Sequence, residues 1–279
     1  MGKLKRMVLV LLPVLLVIIT VMNVYASGLT EQMFITVKIN GQTIFTDTNP
    51  YIKQCRTFVP IRFIAEAFGM DVKWNQEERK AVLEDETRIM EVWLDSDRLK
   101  VNDEEHIMDV NVEGVNGRTM VPVRHFAETM GFTVEWDDYT YSVEINKEGA
   151  DIPASSVFSR SYTDDDIIWL ARIVHVEGFS LGVEGKVGIA NVVLNRVKNP
   201  AFPGTIHDVI FDTRYSMQFP PAHKTGFKDF MPGGPCVIAA KMALEGINNV
   251  DESLYFNHIP FKNKAGDLFK VIEGEYFYY

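Results

Sequence analysis

The carboxylate best placed for acid–base chemistry in this chain is Glu177. It closes a segment in which Ile167, Leu170, Ala171 and Val174 recur at i, i+3, i+4 and i+7, while Ile168, Trp169, Ile173 and Val176 make the remaining surface apolar. That spacing predicts a helix buried on nearly all sides, with Thr163 as N-cap, Asp164 to Asp166 at its positive end and Gly178 as its stop. Burial and the negative end of a helix both disfavour a carboxylate anion. Both therefore push the pKa of Glu177 upward, toward what a general acid requires near neutral pH. On local pattern alone the plainer reading is a last-turn Glu pointing into water.

Other chemistries find fewer residues. His175-Val176-Glu177 together with Pro235-Cys236 begins a zinc-deaminase pattern, but Ala239 stands where the second Cys is required. No H-E-x-x-H occurs either, so metal catalysis is not expected and no cofactor is called for. Cys55 and Cys236 are the only cysteines and read as two buried thiols rather than a disulfide framework. Glu184 is the nearest candidate for a second carboxylate, although it opens the following helix, where a negative charge has a structural reason.

A chain of 279 residues at 47% hydrophobic and 24% charged composition fits about two globular domains. With 28 basic and 38 acidic side chains the net charge is -10, which excludes nucleic acid as a partner because phosphate binding needs clustered cations. Lys3, Lys5 and Arg6 precede an apolar run from Met7 to Met22, followed by Val24-Tyr25-Ala26. This predicts a signal peptide over residues 1–26, the alternative being an uncleaved membrane anchor; either places the remainder outside the cytoplasm, secreted or in the cell envelope.

Residues 37–83 align without a gap on residues 99–145. Arg56-Thr57-Phe58-Val59-Pro60-Ile61-Arg62 becomes Arg118-Thr119-Met120-Val121-Pro122-Val123-Arg124, and Val72-Lys73-Trp74 becomes Val134-Glu135-Trp136. Each copy reads as strands around a short helix: Ile35, Val37 and Ile39 alternate, Asn40-Gly41 signals a hairpin, and Ile61, Ile64, Ala65 and Phe68 follow helical spacing up to Gly69. The expected fold of residues 29–147 is thus α+β, built from two tandem strand-helix-strand repeats. Residues 148–162, rich in Ser with Gly and Pro, read as a linker to a domain over 163–279.

The doubled pattern R-T-x-V-P-x-R…A-E…G…V-x-W resembles the copper amine oxidase N-terminal-like domain of secreted bacterial proteins. The resemblance implies an accessory module that binds wall components or partners. Nothing there has the converging ligands of a copper centre, since His106 and His125 fall at non-equivalent repeat positions. Arg62, Arg124, Trp74 and Trp136 are expected to organise the repeat cores. Residues 29–149 carry 13 basic and 23 acidic groups, so bulk attraction to an anionic wall polymer is not the mechanism.

Downstream, Leu170 to Glu177 is followed by Ala190-Asn191-Val192-Val193-Leu194-Asn195-Arg196-Val197, Phe202-Pro203-Gly204-Thr205-Ile206, Gln218-Phe219 and Leu254-Tyr255-Phe256-Asn257. This ordered series resembles the SleB-type cell-wall hydrolases, the spore cortex-lytic family. The resemblance implies a mainly α, lysozyme-like domain that cleaves peptidoglycan between N-acetylmuramic acid and N-acetylglucosamine, with Glu177 as the essential acid and a 1,6-anhydro end as product. A non-catalytic wall-binding protein with a degenerate hydrolase domain is the alternative. Gln218, Phe219, Tyr255 and Asn257 are the expected substrate contacts, since sugars bind by aromatic stacking and amide hydrogen bonds, while Phe256 should point into the core. Asn191 and Asn195 form a polar stripe facing either the groove or a structural hydrogen bond, and Arg196 is expected to be structural. Two departures from the family stand out: Gly178-Phe179 after the acid, and Glu275 where a His often precedes the terminal aromatic residues.

Overall fold

The computed structural model describes residues 34–279, so the segment expected as signal peptide or anchor lies outside the described residues. Strand β1 (Thr36–Ile39) turns into β2 (Gln42–Thr43) through Asn40 and Gly41, both at positive φ, the conformation that an Asn-Gly hairpin turn demands. A second hairpin joins β3 (Tyr51–Lys53) to β4 (Arg56–Pro60), and Pro60, extended at φ -66°, caps helix α1 (Ile61–Ala67). Gly69 follows that helix at φ +76°, a left-handed conformation that a Cβ would penalise.

Then come β5 (Asp71–Asn75), β6 (Lys80–Glu84), β7 (Ile89–Trp93), β8 (Arg98–Val101), β9 (Glu104–Ile107), β10 (Glu113–Val115), β11 (Arg118–Pro122), helix α2 (Val123–Glu128), β12 (Thr133–Asp137) and β13 (Ser142–Asn146). They form three sheets, ordered β12-β13-β1-β2, β10-β11-β4-β3 and β5-β6-β7-β8-β9. In the middle sheet β4 and β11 run antiparallel with Val59 opposite Val121, and β1 lies parallel to β13. Arg56 pairs with Asp109 and Arg118 with Asp47, two ion pairs that cross between the halves of this region. Its core is apolar and fully buried at Val59, Ile64, Leu83, Met90, Val121, Phe126 and Ile145.

The C-terminal region is helical, with α3 (Asp164–Glu177), α4 (Val183–Lys198), α5 (Ile206–Ile210) and α6 (Gly234–Leu244). Their shared core includes Leu170, Val174, Ile189, Val193, Val237 and Ala240. A small antiparallel sheet closes the chain: β14 (Tyr255–Asn257), β15 (Leu268–Ile272) and β16 (Glu275–Tyr278), with β16 in the centre.

Three expectations change. Residues 148–162 are no free linker: Val157 bridges to Ile44, Phe158 N–H donates to the Thr43 carbonyl, and Ala150 and Ile152 pack on the N-terminal core, because these apolar side chains extend the edge beside β2. Residues 34–279 accordingly form one compact unit. The buried Lys241 of α6 donates to Thr36 Oγ1 at 2.7 Å and to the carbonyls of Thr140 and Tyr141 at 2.9 and 3.1 Å, while Lys38 pairs with both Glu144 and Asp164. Cys55 is exposed, since it occupies a hairpin tip at positive φ; Cys236 is buried. Arg62 and Arg124 are exposed and Trp74 is 42% exposed, so these residues do not fill the repeat cores; Trp136 alone among them packs on the core, edge-on to Tyr141.

Candidate active site

Helix α3 is built as its sequence dictates. Thr163 and Asp166 form a reciprocal capping box, three Asp residues occupy the first turn, and Ile167, Leu170, Ala171 and Val174 are fully buried. Gly178 ends it at φ -115°, without the left-handed cap. A Cβ at Gly178 would lie 2.9 Å from Ile189 Cδ1 and 3.0 Å from the Val174 carbonyl, so close approach of α4 is what requires glycine here.

Glu177 is the last helical residue, half-buried, with no hydrogen bond among the described residues. Burial holds its carboxyl above the ordinary range, the negative charge of Glu275 adds to that, and Arg196 opposes it. Glu275 is itself raised by burial and opposed by His258. The carboxylate coupled to Glu177 is therefore Glu275 rather than Glu184, which is exposed in the first turn of α4.

The position of Glu275 follows from how the β15–β16 hairpin seats on α4. At its turn, Glu273 accepts a hydrogen bond from Gly182 N–H at 2.6 Å, placing an anion at the start of α4, where free backbone N–H groups favour it. Glycines keep the approach open: a Cβ at Gly185 would lie 2.7 Å from Glu273 Oε2, and one at Gly188 2.7 Å from Phe277 Cζ. Glu275 and Phe277 share one face of β16 by alternation, so Glu275 is carried on the side of the strand that Phe277 packs toward α4.

Arg196 joins the rest. Its Nε donates to the Leu254 carbonyl at 2.8 Å, and its guanidinium lies over the rings of Phe219 at 5.0 Å, Phe202 at 5.1 Å and Tyr255 at 5.6 Å. It is 5% exposed, and Nη1 has no hydrogen-bond partner. Burial pulls its pKa down to about 10, opposed by the neighbouring carboxylates of Asp212 and Glu177 among others, so it remains cationic at neutral pH. This is a buried cation in the field of the acid, a placement beyond the structural role expected of it.

Of the predicted contacts, Tyr255 is half-buried in β14, with Lys264 Nζ 4.3 Å and the Arg196 guanidinium 5.6 Å from its ring centre. Asn257 lies on the same strand face, opposite Tyr276, while Phe256 faces Phe277 in the core as alternation requires. Gln218 is half-buried and donates to Ser216 O and Oγ, locally within its loop. Phe219 does not line an open surface: it is 2% exposed, packed beneath Arg196 and beside Phe256, because the loop before Pro220 folds its ring inward. A ring without a free face cannot stack on a sugar. Phe179, two residues beyond the acid and 76% exposed, offers such a face, and Gly178-Phe179 as a departure was the only signal of it in the sequence. Asn191 donates to Val187 O and Ile247 O, and Asn195 to Asp251 O and Ser253 O, which settles their stripe as a structural tie to the loop after α6. No group of three or more potential metal ligands occurs among the described residues.

Two family models match the chain: the copper amine oxidase N-terminal domain over residues 38–145 and the cell wall hydrolase over residues 181–278, a span that begins just after Glu177. A spore cortex-lytic enzyme of Halalkalibacterium halodurans is 35% identical over 63 residues, covering 23% of this chain and 19% of the relative. One of Oceanobacillus iheyensis is 38% identical over 55 residues, covering 20% of each. The chain thus spans about a fifth of the curated relatives it matches. The catalytic domain of the germination-specific lytic transglycosylase SleB from Bacillus anthracis aligns with a TM-score of 0.39 at 26% identity, covering 44% of this chain and 100% of that one.

Proposed function

We propose that the chain, which matches the models of a copper amine oxidase N-terminal domain and a cell wall hydrolase and resembles spore cortex-lytic enzymes over part of its length, cleaves the glycan strand of peptidoglycan with Glu177 as proton donor. The observation that carries the reading is the setting of Glu177: a half-buried carboxyl at the end of α3, free of hydrogen bonds among the described residues, with Arg196 and Glu275 as its charged neighbours. That setting favours the protonated form, which an acid catalyst must hold in reserve.

Protonated Glu177 gives its proton to the oxygen of the bond between N-acetylmuramic acid and N-acetylglucosamine. As that C–O bond breaks, an oxocarbenium-like centre develops at muramic C1. The resulting Glu177 carboxylate takes the proton of the C6 hydroxyl, and O6 closes on C1. The product is a 1,6-anhydro-muramic end, and the enzyme returns to its protonated state without consuming water. Arg196 stabilises the carboxylate between the two transfers, and Glu275 keeps it basic enough to recover a proton. Tyr255, Asn257, Gln218 and the open ring of Phe179 are the contacts available to the sugars.

One observation favours a second outcome. Glu275 is a second carboxylate within electrostatic reach of Glu177, and a paired carboxylate is what hydrolysis with an activated water or a covalent intermediate uses. The two outcomes differ by one water in the product. We read the C-terminal domain as lysozyme-like and the N-terminal domain as two tandem copies, supported by elements that recur at the repeat spacing and by the crossed Arg56–Asp109 and Arg118–Asp47 pairs. The protein then works in the cell envelope or outside it, in cortex lysis during germination or in wall turnover, with peptidoglycan as its partner and no cofactor.

Digestion of purified peptidoglycan by the chain and by Glu177→Gln, with the soluble fragments weighed by mass spectrometry, tests this. Anhydro-muramic ends that vanish in the variant are expected. Fragments heavier by one water shift the assignment to hydrolysis with Glu275, and wild-type activity in Glu177→Gln overturns the role of Glu177.

A further inference from the structure

The N-terminal region contains two grooves built from residues that the sequence repeat equates. One is a cavity of about 590 Å³ whose lining includes Arg62, Lys73, Trp74 and Arg118; the other, of about 240 Å³, includes Arg124, Glu135, Trp136 and Arg56 at the corresponding positions. The copies have diverged in one direction. Where the smaller groove has Ile52, Cys55 and Val143, the larger has Gly114, Gly117 and Ala81, so side-chain volume has been removed from its walls. Where the smaller has Glu135, the larger has Lys73, so even with Asp47 in its wall the larger groove is the more cationic of the two, in a region whose overall charge is strongly negative.

The aromatic walls differ as well. Trp136 has Tyr141 edge-on at 5.2 Å and packs on the core. Trp74 is 42% exposed, and its Nε1 donates to Gln76, which fixes the ring while leaving its surface open. Arg118 is committed to Asp47 and Lys73 to Glu84, but Arg62 has neither an ion pair nor a hydrogen bond among the described residues. It is close enough to Asp47 to help depress that acid, yet its forked donors are unused.

We propose that the larger groove is a binding site for a carboxylate-bearing pyranose of a wall glycan, with the sugar ring on Trp74 and the carboxylate on Arg62. An aromatic surface takes the apolar face of a pyranose, and a guanidinium fork takes a carboxylate through paired charge-assisted hydrogen bonds. A neutral sugar leaves Arg62 unpaired, and a simple anion leaves the Trp74 face uncovered. The site holds the chain on its substrate polymer while Glu177 acts, so its choice of ligand rests on the wall-glycan reading above, and the comparison of grooves rests on the tandem-copy reading.

The test titrates the full chain, carrying Glu177→Gln so that nothing is cleaved, with a disaccharide of N-acetylglucosamine and N-acetylmuramic acid, with a glucuronic acid disaccharide, and with neutral chitobiose. Arg62→Glu reverses the cation, Gly114→Ile installs the residue of the smaller groove, and Arg124→Glu is the control. At least a tenfold loss of affinity for a carboxylated disaccharide is expected in the first two variants, with no change in Arg124→Glu and weaker binding of chitobiose throughout. The muramyl probe binding alone identifies a lactyl carboxylate, and the glucuronate probe alone a ring carboxylate. Unchanged affinity in both Arg62→Glu and Gly114→Ile, equal binding of chitobiose, or equal loss in Arg124→Glu overturns the site. Cleavage of soluble glycan strands by chains with Glu177 intact is read separately: Arg62→Glu with full cleavage and normal carbohydrate affinity refutes the groove alone, whereas carbohydrate binding without cleavage in the parent refutes the enzymatic reading alone.

Discussion

Replacing Gly188 with Ala measures how rigidly the terminal hairpin holds Glu275 over α4. A methyl group on Gly188 would sit 2.7 and 3.0 Å from Cζ and Cε1 of Phe277 and 3.2 Å from Val250 Cγ1. Carbon atoms prefer roughly 3.5 to 4.0 Å, so the overlap with the ring is on the order of 1 Å. Phe277 is fully buried and β16 is paired on both sides, which leaves the ring no route out except movement of the whole strand. Overpacking of this kind costs about 1 to 3 kcal/mol. Ala gains about 1 kcal/mol over Gly in a helix interior, which offsets part of that. The clash lies toward the upper end because two buried partners are struck at once, so the net loss is about 1 to 2 kcal/mol. In a unit of this size that lowers Tm by roughly 2 to 8 °C. Urea unfolding of the parent and the variant gives the difference directly. Adding Phe277→Leu, which removes the struck ring atoms, should recover part of the loss. Because Glu275 precedes Phe277 on the same strand face, the pH profile of cleavage should move with the strand. A Gly188→Ala chain as stable as its parent or more so refutes the reasoning, since helix propensity would then outweigh a contact too loose to position anything.

Four further outcomes follow from the site and the interface. Glu275→Gln removes the negative charge that helps raise Glu177, so the alkaline loss of activity, set by deprotonation of the acid, should move to lower pH; an unmoved limb breaks the coupling. Glu177→Gln should be more stable than the parent at pH 7, because a carboxyl with a raised folded-state pKa penalises the fold above that pKa; the advantage should shrink as pH falls toward the unfolded-state value, read as Tm against pH. Asn195→Ala leaves the Asp251 and Ser253 carbonyls without their donor and should cost about 1 to 3 kcal/mol in denaturant unfolding. Lys241→Met strips three acceptors at the junction of the two regions, and limited proteolysis should then cut within residues 148–162 faster than in the parent; equal rates mean other contacts hold the junction.

The short-range features were legible in the sequence. The i, i+3, i+4, i+7 stripe and Thr163 define α3, Asn40-Gly41 defines its hairpin, and Gly69 caps α1, because each depends on backbone conformation and side-chain spacing over a few residues. The motif that singled out Glu177 was legible too, as was the inward turn of Phe256 by alternation. What the sequence left undetermined depends on which distant segments meet. Glu275 reads only as a departure from the family pattern, with no partner, until Glu273 and Phe277 anchor its strand to α4. Phe219 reads as a sugar platform until Arg196 and Phe256 cover it, and Trp74 and Trp136 look alike until Tyr141 packs against one of them. Residues 148–162 have a linker's composition, yet a few apolar side chains find the edge of β2. Local propensity acts through neighbours in the chain, whereas burial and Coulomb coupling act through distances that only packing fixes, so the helix that ends at Glu177 was written in the sequence and the surroundings of that carboxyl were decided by the fold.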